Sequence, residues 1–287
     1  MTQNRSAQPL HNRLLTRRAT LQFIAAGALS IRASAVFSQN SAVFDHSYAA
    51  FDALLVKHVR WLPDNKQSRV DYAGLATQSA ALQQVLAEWS AVSPAQFASF
   101  SREQRMAFLI NAYNGFTLAL ILTRYPDLKS IKDLGSLFKS PWKSQFFTLL
   151  GEPRHLDWIE HEQLRPLYND PRVHTAVNCA SIGCPALRPQ AFTATRLQTQ
   201  LADGMQRFMA DRSRNRYNPA SGKAEVSAIF KWFREDFEKG HAGFYRLEDV
   251  LAFYADALAD DAASRDKLRA KSVGITFLDY DWTLNAA

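Results

Sequence analysis

The stretch REQRMAFLINAYNGFTLALILTRY, residues 102–125, decides how the rest of the chain is read. Ser101 and Gln104 form a capping-box pattern at its start, and Pro126 closes it. Between those signals the residues are apolar on nearly all sides, so the spacing predicts a helix buried at the centre of the fold. Asn111, Tyr113 and Asn114 interrupt the apolar run. An amide is a poor helix former and is costly to bury without a partner. Asn111 and Asn114 are three apart and share a helix face. Either they bond neighbouring loop backbone and fix the register of the core, or they line a site and orient a substrate or a histidine.

Working outward, residues 45–59, 73–90 and 195–212 carry helical spacing, the last with Thr195 as its cap. SQFFTLLGEPRHL and RYNPASGKAEVSAIF read as hairpins, and SRVDYAGL as a short strand or turn. FKWFREDFEKG reads as a helix ended by Gly240, followed by two more helices and a terminal strand, GITFLDYDW. Helices outnumber strands, and the strands come as hairpins rather than alternating with helices. The expectation is an α+β fold: a largely helical single domain around a buried central helix, with a small, mostly antiparallel sheet.

Residues 1–38 read as a signal rather than as part of that domain. Arg5, Arg13, Arg17 and Arg18 precede a moderately apolar run, Ala33-Ser34-Ala35 is a small-residue cleavage signal, and TRRATLQ resembles the twin-arginine export motif. The run is too short and too polar to anchor stably in a bilayer, and Arg32 interrupts it. Export to the periplasm, or otherwise out of the cytoplasm, is expected, with residues 39–287 as one globular domain. These 38 residues hold five of the 34 basic residues and none of the 27 acidic ones. The formal charge of +7 therefore falls to 29 basic against 27 acidic residues in the rest. That near-neutral remainder gives no electrostatic reason to bind nucleic acid or anionic lipid. No Gly-x-Gly-x-x-Gly or Walker-type lysine motif points to a nucleotide, and no cofactor is implied.

The chemistry concentrates in VHTAVNCASIGCPAL, residues 173–187, which holds both cysteines. If VHTAV is a strand that turns at Ser181-Ile182, Cys179 and Cys184 face one another and a disulfide is natural, stabilising by about 2 kcal/mol for so short a loop. His174 then lies on the opposite face, out of reach of Cys179. Alternatively, Asn178 caps one helical turn, CASI, terminated by Gly183. Cys179 then sits where helix-terminal amides favour a thiolate. Its base is His174, if the backbone folds back, or His161. Cys184 precedes Pro185, which favours extended geometry and makes it the passive partner.

A second polar group lies in DWIEHEQLRP, where Asp157 and Glu160 make another capping-box pattern. Glu160 and His161 are adjacent, so on an ordinary helix they do not face one pocket squarely. His161 and Arg165 are four apart and share a face.

The segments AFLINAYNGFTL, SIKDLG, IEHEQLR, DPRVHTAVNCASIGCPALRP, FKWFREDF and FLDYDWTLN, taken in order over residues 100–285, resemble the domain of unknown function 547 family. The resemblance places Asn111, Tyr113, Asn114, Glu160, His161, Arg165, His174, Asn178, Cys179, Ser181, Gly183, Cys184 and Pro185 on the family's motif positions. It implies a domain and a site, not a reaction. The layout is distantly similar to papain-like and transglutaminase-like folds, where a cysteine opens the central helix; none lies in residues 95–115 here.

Three readings follow. In the first, the chain is an exported thiol-dependent hydrolase or acyl transferase acting on amide or ester bonds of a substrate or envelope partner. Cys179 is the nucleophile and His174 or His161 the base. Glu160, Asn111 or Asn178 orients the imidazole, with Asn114 and Arg165 also in the site. In the second, it is a binding or scaffold module stapled by a Cys179–Cys184 disulfide. In the third, His174, Cys179, Cys184 and His161 hold a metal, although Cys-x4-Cys lacks the tight spacing of structural zinc sites.

Overall fold

The computed structural model describes residues 44–136 and 139–287. The signal read in residues 1–38 lies outside them. The central helix forms as its sequence requires. It runs Arg102–Leu122, the Ser101 hydroxyl accepts from the Gln104 amide, and the Gln104 side chain accepts from the Ser101 amide at 2.8 Å. Every residue from Met106 to Ile121 is buried. Helices Ala49–His58 and Ser79–Ser90 cover one side of this core. Gly115 lets the second approach closely, because a Cβ there would lie 2.9 Å from the Trp89 ring and 3.0 Å from Leu86.

The two buried asparagines act on backbone. Asn111 donates to the Phe192 carbonyl at 2.8 Å and accepts from the Phe192 amide at 2.9 Å, so its amide mimics a strand neighbour. Asn114 donates to the Ala176 carbonyl at 2.9 Å and accepts from the Asn178 amide at 2.9 Å. Both amides are fully paired, which is why the helix tolerates them. The first of the two readings of these residues is the one the geometry takes, and Asn114 thereby fixes the segment that leads into the cysteines.

The expected α+β architecture is present. Val59–Trp61 pairs antiparallel with Ser68–Val70, and Phe147–Leu149 with Glu152–Arg154. A three-stranded sheet is ordered Arg216–Asn218, Lys223–Ser227, Gly274–Leu278. Its first pair is the antiparallel hairpin, but the terminal strand joins parallel to Lys223–Ser227. The parallel pairing requires a crossover, and the chain between the two strands supplies five α-helices, Ile229–Trp232, Arg234–Phe237, Leu247–Phe253, Ala255–Leu258 and Ala262–Arg269, the last three where the sequence suggested two. Residues 44–287 form one compact unit with two hydrophobic clusters. One surrounds the central helix. The other lies between helix Leu197–Ala210, the three-stranded sheet and the crossover helices.

Several local expectations fail for identifiable reasons. The helix expected over 73–90 breaks at Gln78, whose side chain meets the His58 ring at 2.5 Å. FKWFREDFEKG breaks at Phe233 into Ile229–Trp232 and Arg234–Phe237. Thr195 does not cap Leu197–Ala210; Arg196 holds that position without a side-chain cap. VHTAV is not a strand. Asp170 accepts from the Arg172 amide, Pro171 opens the first turn, and Pro171–Thr175 forms a 3₁₀ helix.

The clamp on residues 176–178 gives a stability test. Asn114→Ala leaves the Ala176 carbonyl and the Asn178 amide buried and unpaired. It is expected to lower unfolding free energy by about 3 kcal/mol, seen as a lower urea midpoint with unchanged slope. A midpoint within error of the wild type would show that the clamp is dispensable.

Candidate functional site

A cleft of about 140 Å³ opens where the two hydrophobic clusters meet. Its floor holds Cys179, Cys184, Glu160 and the edge of His174, with Asp157 and His161 beside them. Its walls are aromatic: Trp142, Trp232, Phe233, Tyr280 and Trp282. Three of these rings pack on one another, Tyr280 and Trp282 at 4.5 Å and Trp232 against Tyr280 at 4.9 Å.

Glu160 and His161 reach the cleft together because Trp158–Leu164 is a π-helix. The turn is wider than an α-turn, so successive side chains diverge less around the axis. Pro166 follows, and the Arg165 amide bonds back to the Glu160 carbonyl. Asp157 makes no cap to this helix, so Glu160 is free to face inward. Arg165 donates to His161 Nδ1 at 2.9 Å, and His161 Nε2 lies 3.6 Å from Asp157.

His174 is buried between two carboxylates. Its Nε2 is 2.8 Å from Asp236, and its Nδ1 is 3.4 Å from Glu160. The ring stacks on Phe233 at 3.9 Å. Burial alone pushes the imidazole pKa down, but the hydrogen bonds and charges of Asp236 and Glu160 outweigh it and hold the pKa above its ordinary value. Burial likewise pushes Asp236 up, but His174, Arg165 and Lys239 overcome it and hold the carboxyl far below the usual range. Glu160 behaves similarly: burial raises it, and His174, His161 and Tyr113 bring it below the usual range. Asp157 moves the other way, raised chiefly by burial.

The cysteine segment is a turn, neither the expected strand nor a helical turn. The Cys184 amide bonds the Ser181 carbonyl, and Ala180 adopts a left-handed conformation with φ 63°. Asn178 Oδ1 accepts from the Ala180 amide, while its Nδ2 donates to the Pro185 carbonyl. The C-terminal segment straps this turn in place. Ile182 and Gly183 amides donate to the Thr283 and Asp281 carbonyls, and the Asn285 amide donates to the Ala180 carbonyl. Gly183 is required by that close approach: a Cβ there would stand 2.9 Å from the Asp281 carbonyl oxygen.

The result brings the two sulfurs to 2.6 Å, both cysteines being free. The Cys179 amide donates to Cys184 Sγ at 3.0 Å. The Tyr280 hydroxyl lies 3.2 Å from Cys179 Sγ and 3.0 Å from Cys184 Sγ. The two thiols are pushed apart. Cys179 is lowered, first by the hydrogen bond from Cys184 and then, against its burial, by Tyr280 and Ser181. Cys184 is raised well above its usual value, first by burial and then by Cys179.

The structure therefore groups Cys179, Cys184, His174, His161 and Glu160 around one cleft and places the remaining candidates behind it. Asn111 and Asn114 hold backbone, Asn178 shapes the turn, and Arg165 supports Asp236 and His161. Among the described residues no hydrogen bond joins Cys179 to His161 or His174. No group of three His, Cys, Asp or Glu side chains among them is arranged to hold a metal ion, so the four residues of the metal reading do not converge as ligands. Asp236 and Tyr280 were not recognised as site residues from the sequence. They lie 62 and 101 positions from the groups they bond, and no local spacing marks them.

The charge cluster implies a pH dependence. The raised imidazole contributes stability that is fully present below its unfolded pKa of about 6.5. That contribution is lost as pH rises through the higher folded-state value. Asp236 and Glu160 contribute stability that is present above the ordinary carboxylate range and lost as pH falls through their lowered values. His174→Asn is expected to cost about 3–5 kcal/mol near neutral pH, because buried Glu160 and Asp236 lose the cation that lies between them. It should also flatten the fall in stability on the alkaline side, as followed by urea unfolding across a pH series. An unchanged alkaline slope would mean His174 is not the titrating group.

No curated protein and no solved structure matches the chain. A family model described as Protein of unknown function, DUF547 matches residues 97–209. That span is shorter than the 100–285 over which the sequence shows the resemblance. It contains the central helix, the π-turn and both cysteines, and stops before Phe233, Asp236 and Tyr280. Over residues 97–209 the chain is similar to the family Protein of unknown function, DUF547.

Proposed function

We propose that the cleft is a thiol active site that transfers or hydrolyses acyl groups of amides or esters, with Cys179 as the nucleophile. The observation that carries this reading is the environment of Cys179 Sγ. The sulfur lies at the floor of an aromatic cleft, within hydrogen-bonding distance of the Cys184 thiol at 2.6 Å, the Tyr280 hydroxyl at 3.2 Å and the Ser181 hydroxyl at 3.6 Å. A proton donated to this sulfur by the Cys184 thiol or the Tyr280 hydroxyl favours thiolate over thiol, which is the nucleophilic form.

This mechanism does not assign the base to an imidazole. His174 is held between carboxylates, and the lone pair of His161 Nδ1 accepts from Arg165. A thiolate stabilised in advance attacks the carbonyl without handing a proton to histidine. The leaving amine or alkoxide then needs an acid. Asp157 lines the cleft and keeps its proton to higher pH than an ordinary carboxyl, whereas neighbouring Glu160 gives its proton up more readily. Two carboxyls driven apart in this way divide naturally into a proton donor and a fixed anion. The donor this proposal assigns to a developing oxyanion is the Tyr280 hydroxyl, which lines the cleft beside Cys179. The amides of residues 180, 182, 183 and 184 are already bonded. The signal read in residues 1–38 would carry this chemistry to the periplasm, as part of the same proposal.

The test is the pH profile of alkylation in the pre-reduced protein. Cys179 is expected to take up iodoacetamide at pH about 7, below the usual thiol range near 8.5. Tyr280→Phe should move the midpoint of that profile to higher pH. Wild type, but not Cys179→Ser, should accumulate a covalent acyl adduct from an activated ester. Alkylation of Cys179 only in the ordinary thiol range, with no acyl adduct, would overturn the proposal.

A further inference from the structure

The nucleophile has a second thiol beside it, whose hydrogen bond favours the thiolate but which takes no covalent part in acyl transfer. Cys184 is 6 % exposed, lies behind Cys179 and holds its sulfur 2.6 Å from the Cys179 sulfur. An S–S bond measures about 2.0 Å, so closure needs little further movement. The backbone favours this approach. The turn brings residue 184 back to residue 181, the Cys179 amide points at Cys184 Sγ, and the strap of residues 281–285 fixes the turn from outside. Tyr280 reaches both sulfurs from one hydroxyl. The exposures differ in the sense that suits an entering and a resolving thiol, because Cys179 is the more open of the two.

We propose that this pair carries out dithiol–disulfide exchange with a low-molecular-weight disulfide that enters the aromatic cleft. The proposal rests on the reading of Cys179 as an accessible nucleophile, but not on acyl transfer. In the first step the Cys179 thiolate attacks one sulfur of the small disulfide. A mixed disulfide forms on Cys179, the substrate S–S bond breaks, and one small thiolate leaves and takes a proton from water. In the second step Cys184 gives up its proton to solvent by way of the Tyr280 hydroxyl, and its sulfur attacks the Cys179 sulfur. The Cys179–Cys184 bond forms as the mixed disulfide breaks, and the second small thiolate leaves and is protonated. Overall the protein dithiol loses two hydrogens and the small disulfide gains them. A small dithiol reverses both steps. The cleft, about 140 Å³, suits a small disulfide better than a folded protein loop. While the bond is closed, Cys179 has no free thiolate, so the same exchange switches the acyl-transfer site off.

The experiment treats the pre-reduced full chain with glutathione disulfide, quenches with acid, alkylates and measures intact mass, with peptide mapping of the bridge. The wild type is expected to end two hydrogens lighter, unalkylated and bridged between Cys179 and Cys184. Dithiothreitol should restore two alkylatable thiols. Cys184→Ser is expected to stop at one glutathionyl adduct on Cys179. Cys179→Ser should react at least about ten-fold more slowly, since only the buried, poorly ionised thiol remains. A wild type that halts at a stable glutathionyl adduct on Cys179 would overturn this inference and leave the nucleophile reading standing. A wild type whose Cys179 reacts with neither glutathione disulfide nor iodoacetamide would sink both. The wild-type measurement decides the matter even where a variant fails to fold.

Discussion

One carboxylate, Asp236, takes donors from three places at once. It accepts from Arg165 at the end of the π-turn, His174 on the 3₁₀ turn and Lys239 just beyond its own helix. Each of these donors is a cation or is pushed toward being one. Assembling such a cluster in a protein interior is not in itself a route to stability, since the lost hydration offsets much of the attraction. Its effect is positional. Once the charges are buried, any displacement of one leaves another unpaired, so the π-turn, the 3₁₀ turn and the short helix Arg234–Phe237 are held in one relative arrangement. Glu160 lies on the far side of the same imidazole, and one side of the cleft floor follows from that line of three groups.

The cysteine side of the floor is fixed by neutral hydrogen bonds. Asn114 holds residues 176 and 178 from within the central helix, and residues 281–285 hold residues 180–183 from outside. Asn285 joins the two systems, bonding the Asn178 side chain and accepting from the Tyr72 hydroxyl. The cysteine turn is therefore irregular in backbone yet fully supported. That combination suits a site that must hold two sulfurs at a defined separation without a helix or strand beneath them. Gly183 belongs to this support, because it admits the neighbouring backbone.

What the sequence made legible is what depends on local spacing. The capping box, the all-round apolar helix and the hairpins each follow from residues within a few positions of one another, and each is present, whereas the helix expected to run to Gly240 ends at Phe237. The buried asparagines were legible as a choice between two roles, and their backbone pairing decides it. The π-turn was not legible: the 100° argument that separated Glu160 from His161 assumed an α-helix, and the wider turn removes its premise. Asp170-Pro171 did carry a local signal, an N-cap followed by proline at the first helical position, and it outweighs the β-branched character of VHTAV. The parallel terminal strand, Asp236 and Tyr280 depend on pairings between distant residues, for which a single sequence holds no periodicity to read.

The division of labour between the charge cluster and the cysteine turn bears on which chemistry the cleft can support. An imidazole that serves as a base must exchange a proton freely, and a ring stacked on Phe233 and held between two carboxylates is poorly placed to do so. With its pKa held up, His174 favours the charged form of Glu160, while burial leaves Asp157 as the carboxyl that keeps its proton to the higher pH. The sulfur side has its own means of setting charge. Cys184, Tyr280 and Ser181 all lie within hydrogen-bonding distance of Cys179 Sγ, so the polar groups nearest the sulfur are neutral. The charge cluster still reaches it through Glu160, whose carboxylate charge opposes loss of the Cys179 proton. Holding Glu160 against His174 therefore ties how the cleft is built to how its sulfur titrates.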